Sequence, residues 1–215
     1  MRRIADIPTP ALILDAAALD RNIRRMARFF ADGPCRLRPH VKAHKTPEIA
    51  RRQLAAGSCS GLTCATVGEA ECVAALADDV LIANEVVTAD ACARAAGLAR
   101  STRLTVAVDS EEGLARLSRA ARTAGTQVGV LVDMNVGQNR CGVAPGAEAL
   151  RLARLVAGTG GVTLRGVMGY EGHVQPIRDR GERTAAARAA MALLVRLTTV
   201  PRTQNACSKP APTCS

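Results

Sequence analysis

Gln127-Val128-Gly129-Val130-Leu131-Val132-Asp133 runs from Val128 to Val132 without a polar side chain. A strand with one wet face alternates polar and apolar residues. This one does not, so both its faces are buried, as in a parallel sheet covered by helices. Outward from it the chain repeats one phrase. Towards the N-terminus stand helix Glu111 to Ala124 and strand Arg103 to Asp109, then helix Ala89 to Arg100 and strand Val80 to Asn84. Before those come helix Gly68 to Ala77, strand Gly61 to Thr66, and helix Thr46 to Ala56 ending at Gly57, a C-cap. Earlier still, Thr9 to Asp15 (TPALILD) reads as an apolar strand and Ala16 to about Phe30 as an amphipathic helix. Towards the C-terminus come helix Ala147 to Ala157, strand Thr163 to Tyr170 and helix Gly181 to Leu197.

Alternation of strand and helix leaves two architectures, a doubly wound sheet and a (β/α)8 TIM-type barrel. No strand is followed by Gly-x-Gly-x-x-Gly, which disfavours the first. Lys42, Thr66, Asn84, Asp109, Asn135 and His173 all stand at or just past C-terminal strand ends. In a barrel those ends converge on one rim, where active sites form. The expected fold is therefore an α/β barrel, incomplete at about six β/α units. Residues 1–197 form the barrel. Residues 198–215 (TTVPRTQNACSKPAPTCS) have three prolines, two cysteines and no apolar period, and read as an irregular or frame-shifted tail. The chain is thus expected to be a truncated product of a longer gene, with two further units in frame downstream. Sequencing beyond the codon for Ser215 checks this.

Composition excludes several classes. The chain has 215 residues, a net charge of +10 and mean hydropathy +0.07, so it can bury a sizeable core. With no Trp, one Tyr and two Phe, that core is aliphatic. Arginines are scattered along helices among acidic residues and alanine, with no basic run beside aromatics, so nucleic acid is not the expected partner. No apolar run approaches membrane-spanning length, and residues 1–10 have no signal-peptide core. The eight cysteines show no Cys-x-x-Cys spacing. Cys59, Cys64, Cys72 and Cys92 read as small core residues in a reduced, cytoplasmic setting.

Chemistry concentrates in Arg38-Pro39-His40-Val41-Lys42-Ala43-His44-Lys45. It holds two of the three histidines and two of the three lysines of the chain. Among basic side chains only lysine readily deprotonates and attacks a carbonyl. Pro39 forces the preceding residue out of helical backbone, so Leu37 to Val41 reads as extended, with Lys42 at its end. Thr46 reads as the N-cap of the next helix, with Pro47 at its first position and Glu48 in its first turn.

TPALILD, RPHVKAHKTPEIARRQLAAG, VDMNVGQNRCGV and GVMGYEGH together resemble the alanine racemase N-terminal-domain family, the fold-type III pyridoxal phosphate (PLP) enzymes. Within it they are most similar to the D-threonine aldolase and D-serine dehydratase enzymes. The resemblance covers roughly residues 6–195. It implies that Lys42 carries PLP covalently, with Lys45 the second candidate nucleophile. It implies that Arg140 steadies the cofactor from the oxygen side of its ring. His173 would stand near the ring, and Tyr170 and His40 would belong to the same pocket.

The resemblance further implies a lyase acting on a small D-amino acid, by retro-aldol cleavage of a D-threonine-like β-hydroxy amino acid or by β-elimination as in D-serine dehydratases. A non-catalytic PLP carrier is the alternative from another class. The family's homodimer is expected. Its Ser-Gly-Gly-Gly-Thr phosphate loop and its C-terminal β domain, which holds a divalent metal (Mn or Zn), are not found in this sequence, so no metal ligands are assigned here.

Overall fold

The computed structural model of the protein describes residues 3–198. Five strands, β1 (Leu62–Cys64), β2 (Asp79–Glu85), β3 (Arg103–Val108), β4 (Val128–Asp133) and β5 (Val162–Met168), pair in chain order, all parallel. Among them run helices α1 (Ala16–Phe29), α2 (Pro47–Ala55), α3 (Val67–Val73), α4 (Ala89–Leu98), α5 (Glu111–Ala124), α6 (Ala147–Ala157) and α7 (Arg180–Thr198). A doubly wound sheet reverses its strand order where the helices change sides. This order never reverses, so right-handed crossovers put every connecting helix on one face. The result is the expected barrel wall, in partial form.

Strand alternation sorts the side chains. Val80, Ile82, Leu104, Val106, Val108, Val128, Val130 and Val132 are buried. They share one core with Val73 of α3, Ala95 and Ala96 of α4, Leu114, Leu117 and Ala121 of α5, and Leu152 and Val156 of α6. Alanine on the inner helix faces lets the backbones approach closely, which suits a core without large aromatics. The opposite parity (Ala83, Glu85, Thr105, Ala107, Leu131, Asp133) faces the concave side. There Gly129 is required by space, since a Cβ would lie 2.7 Å from Thr105 Oγ1 and 2.9 Å from Arg165 Cγ.

Several expectations need correction. Thr9 to Asp15 is not a strand: Leu12, Ile13 and Leu14 are exposed, and Asp15 caps α1 by accepting from Ala18 N at 2.9 Å. An apolar run without a neighbouring edge has no ladder to join. Leu37 to Val41 does lie beside β1, through bridges Leu37 to Cys59 and His40 to Thr63. It stays a bridged run rather than a full strand because Pro39 offers no N–H. With it the sheet has six strand positions among the described residues. Thr46 takes the N-cap position, but its hydroxyl donates to His44 O at 2.7 Å and does not cap. Cys64 and Cys92 are buried, Cys59 is half-buried and Cys72 is exposed, because α3 turns Cys72 outward. The tail expected from residue 198 lies, Thr198 apart, outside the described residues.

The N-terminal ends of the strands are tied by one carboxylate. Asp79, at the start of β2, accepts from Arg38 Nη1 at 2.6 Å and Arg103 Nε at 2.8 Å. Burial alone would raise its pKa, but the two guanidinium groups outweigh it and hold the carboxyl below its usual range. Arg38 is thereby committed at the far end of the sheet from Lys42. Asp79→Asn should cost about 2–3 kcal/mol, the low end for a broken buried pair because Arg103 is half-exposed. The wild-type advantage is present above the unfolded carboxylate pKa near about 4 and disappears as pH falls through the lower folded value. Urea unfolding of both proteins between neutral and acid pH checks the cost and its sign.

Candidate active site

Three chain segments meet at the C-terminal ends of the strands. Lys42 lies in a single 3-10 turn, Val41–Ala43, that follows the bridged run. His40 precedes it, and His40 Nδ1 accepts from Lys42 N at 3.3 Å. Burial, then the nearby Lys42 charge, lower the His40 pKa, so the ring is neutral at pH 7. The second segment is the loop after β4. Asn135 shapes it from within: its Oδ1 accepts from Gly137 N at 3.0 Å and Asn139 N at 3.1 Å, and its Nδ2 donates to Asn139 Oδ1 at 2.9 Å. Gly142, at φ +92, closes the loop where a Cβ would lie 2.6 Å from Asn135 N. The third segment, after β5, carries Tyr170.

These segments enclose a cleft of about 200 Å³ lined by His40, Lys42, Asp133, Arg140, Cys141 and Tyr170, among others. Lys42 Nζ lies 5.7 Å from the Tyr170 ring centre and Arg140 Cζ 5.6 Å from it. One aromatic ring thus spaces two cations that would otherwise repel. Larger open grooves of about 750 and 830 Å³ run along the outer helices, away from Lys42 and Tyr170.

Four of the five expected site residues, Lys42, His40, Arg140 and Tyr170, therefore share one cleft. His173 stands apart from its lining, against Gly137, with Nδ1 buried and without a hydrogen-bond partner among the described residues. Lys45 points away and forms an ion pair with Glu69. His44 is structural: Nε2 meets Gln53 Oε1 at 3.2 Å and Nδ1 accepts from Thr46 N at 3.1 Å. Thr66 caps α3 by accepting from Glu69 N, and Asn84 is exposed outside the cleft.

Glu85 and Asp133 carry no role in the sequence reading, yet Asp133 lines this cleft and Glu85 lies against it. Ligand atoms of Glu85, Asp133 and Cys141 lie within 4.8 Å of one another. Burial first, then the neighbouring Asp133 and Asp109, push the Glu85 carboxyl up to about 7. Burial also raises Asp133. The readable signal was a glutamate inside the apolar run Val80 to Val87. As a metal centre the trio is poorly suited. It supplies no imidazole, and burial raises the Cys141 thiol, keeping the proton that a metal ligand must lose.

Residues 14–209 match the family described as alanine racemase, N-terminal domain. The chain belongs to this family. It is 43% identical over 188 residues to a D-threonine aldolase from Arthrobacter sp, covering 87% of this chain and 49% of that protein. A 3-hydroxy-D-aspartate aldolase from Paracoccus denitrificans (strain Pd 1222) is 36% identical over 190 residues, again 87% of this chain and 49% of the relative. The crystal structure of D-threonine aldolase from Filomicrobium marinum superposes with a TM-score of 0.85 at 43% identity, over 88% of this chain and 51% of that one. The chain thus spans about half the length of the relatives it matches. No helix among the described residues is long and apolar enough to cross a membrane.

Tyr170 is the only tyrosine and the chain has no Trp, so tyrosine emission reports on the cleft alone. Lys42→Ala or Arg140→Ala should shift that emission by removing one facing cation. The cost in stability should stay below about 1 kcal/mol, as for exposed cation–π pairs. Fluorescence and urea unfolding measure the two effects.

Proposed function

We propose that this chain is the cofactor-carrying barrel portion of a PLP-dependent lyase that cleaves D-threonine-like β-hydroxy amino acids by a retro-aldol reaction. One observation carries the reading: among the described residues a single lysine amine, Lys42 Nζ, faces the strand-end cleft, with Arg140 over the same Tyr170 ring. Kinship with aldolases of D-configured hydroxy amino acids supports the reaction class. Bound PLP would supply an electron sink for the pair released when the substrate Cα–Cβ bond breaks.

The chain's own residues would do the rest. Lys42 Nζ is the amine that would hold the cofactor through its carbonyl, and as a free amine it could hold a proton. Lys45, neutralised by Glu69, is not placed for that task. Arg140 would balance negative charge on the oxygen side of the cofactor ring. Neutral His40, with Nδ1 committed to Lys42 N, holds the lysine turn in register. Tyr170 would form one wall. His173, behind Gly137, would stand near the ring beyond the cleft's lining. The family's homodimer, its cytoplasmic setting and its divalent metal belong to the same proposal, and the metal would need ligands other than those of the cleft.

Mixing the purified protein with PLP should produce a visible absorption band. Borohydride reduction and peptide mapping should place the label on Lys42, and Lys42→Ala should lose band and label together. Label on Lys45 instead would overturn the assignment. Glycine and acetaldehyde released from D-threonine would establish the aldolase. A label on Lys42 without turnover would leave the carrier reading in its place.

A further inference from the structure

The loop after β4 carries Arg140 without a backbone ladder of its own. Its two feet are joined: Asn135 N donates to Val143 O at 2.9 Å, and Val143 N to Asp133 O at 3.0 Å. Between the feet, residues 136–141 make no backbone-to-backbone hydrogen bond among the described residues. Two of them also take positive φ, Gly137 at +125 and Asn139 at +55. Asparagine adopts that backbone at a cost, which local hydrogen bonding offsets. Packing supplies part of the hold, since a Cβ on Gly137 would lie 2.7 Å from His173 Cε1. Packing alone is not directional.

The directional hold comes from the Asn135 side chain inside the loop. Its Oδ1 accepts from Gly137 N at 3.0 Å and Asn139 N at 3.1 Å, and its Nδ2 donates to Asn139 Oδ1 at 2.9 Å. Two backbone donors fix which end of the carboxamide is oxygen, and they use both of its lone pairs. Asn135 lines the cleft, yet its oxygen is thereby committed to the loop and not offered to a ligand. Past the crown, Gly142 N donates to Asp109 Oδ2 at 3.2 Å. The Arg140 guanidinium is hydrogen-bonded to Cys141 and drawn by the charges of Glu85 and Asp133. Those contacts act on the far foot and on the side-chain tip. The course of the backbone into Arg140 is left to the crown.

We propose that Asn135 is a positioning residue for Arg140: its carboxamide takes the place of the missing backbone pairs and holds the crown so that Arg140 lies over Tyr170. A carboxamide does not titrate, so the device works alike across pH. Its consequence for PLP rests on the function proposed above, whereas the placement of Arg140 does not.

Two measurements on the cofactor-free chain test it. In the wild type, amide hydrogen exchange followed by NMR, corrected for intrinsic rates, should be slower at Gly137 and Asn139 than at Arg140. All three residues are exposed, so burial protects none of them, and the Arg140 N–H meets no acceptor among the described residues. Equal exchange at the three would overturn the clamp, and this result needs no variant. Asn135→Asp keeps an acceptor for both N–H groups and should keep their protection; losing it would overturn the role of the oxygen. Tyr170 emission is then compared in wild type, Asn135→Ala, Arg140→Ala and the double variant. Asn135→Ala should move the emission in the same direction as Arg140→Ala, and should add nothing once Arg140 is gone. No shift in Asn135→Ala would overturn the proposal, because packing against His173 then suffices. An equal shift with and without Arg140 would also overturn it, as the mark of a general loosening of the cleft. With PLP added, Arg140→Ala should raise the half-saturating concentration roughly tenfold, as for one lost charge-assisted hydrogen bond, and Asn135→Ala should raise it in Arg140-containing protein only. A wild type that gives no PLP band would count against Lys42 as the cofactor lysine, and exchange and emission would still decide the role of Asn135.

Discussion

Parallel pairing in strict chain order is the constraint on which the rest of this protein depends. Each strand must reach its successor through a helix, and with crossovers of one hand all helices fall on one face. That face takes the Val and Leu parity of every strand and buries it against alanine-lined helices. The opposite face is left for smaller and polar groups, from Ala83 and Thr105 to Asp133. Because all strands point the same way, their C-terminal ends form one rim. Lys42, Asp133, Arg140 and Tyr170 meet there although they are up to 128 positions apart in the chain.

The two rims are built differently. At the N-terminal ends a buried carboxylate, Asp79, is satisfied by two arginines and serves as a tie. At the C-terminal ends Glu85 and Asp133 lie beside Arg140, which is exposed and also lies over Tyr170. The same residue types thus give a carboxyl held low by two arginines at one end and two carboxyls raised by burial at the other. The difference is the donors: Arg38 and Arg103 hydrogen-bond Asp79 directly, whereas Asp133 accepts from the Cys141 thiol.

The elements that were legible in the sequence were those whose signals are local. The helices at 111–124 and 147–157 carry an unbroken apolar period, and their expected bounds coincide with α5 and α6. The run beside β1 was readable from Pro39, and Lys42 from the scarcity of lysine. The apolar run at 9–15 looked equally strong and is not a strand, since pairing depends on a neighbour that composition cannot supply. Cys72 misled for a related reason: its neighbours are apolar, but the helix presents it outward.

The sequence by itself determined the alternation of strand and helix, the parallel character of the sheet and the segments that carry Lys42, Arg140 and Tyr170, because periodicity, proline and glycine act over a few residues. Only the tertiary structure decided which way each polar group turns. It sent Arg38 to Asp79 and Lys45 to Glu69, left Lys42 facing the cleft, and brought Glu85 against Asp133 from strands that do not touch. Those outcomes depend on register and on which face of a strand a residue occupies. A shift of one residue would exchange the faces, and no local pattern around Glu85 specifies that shift.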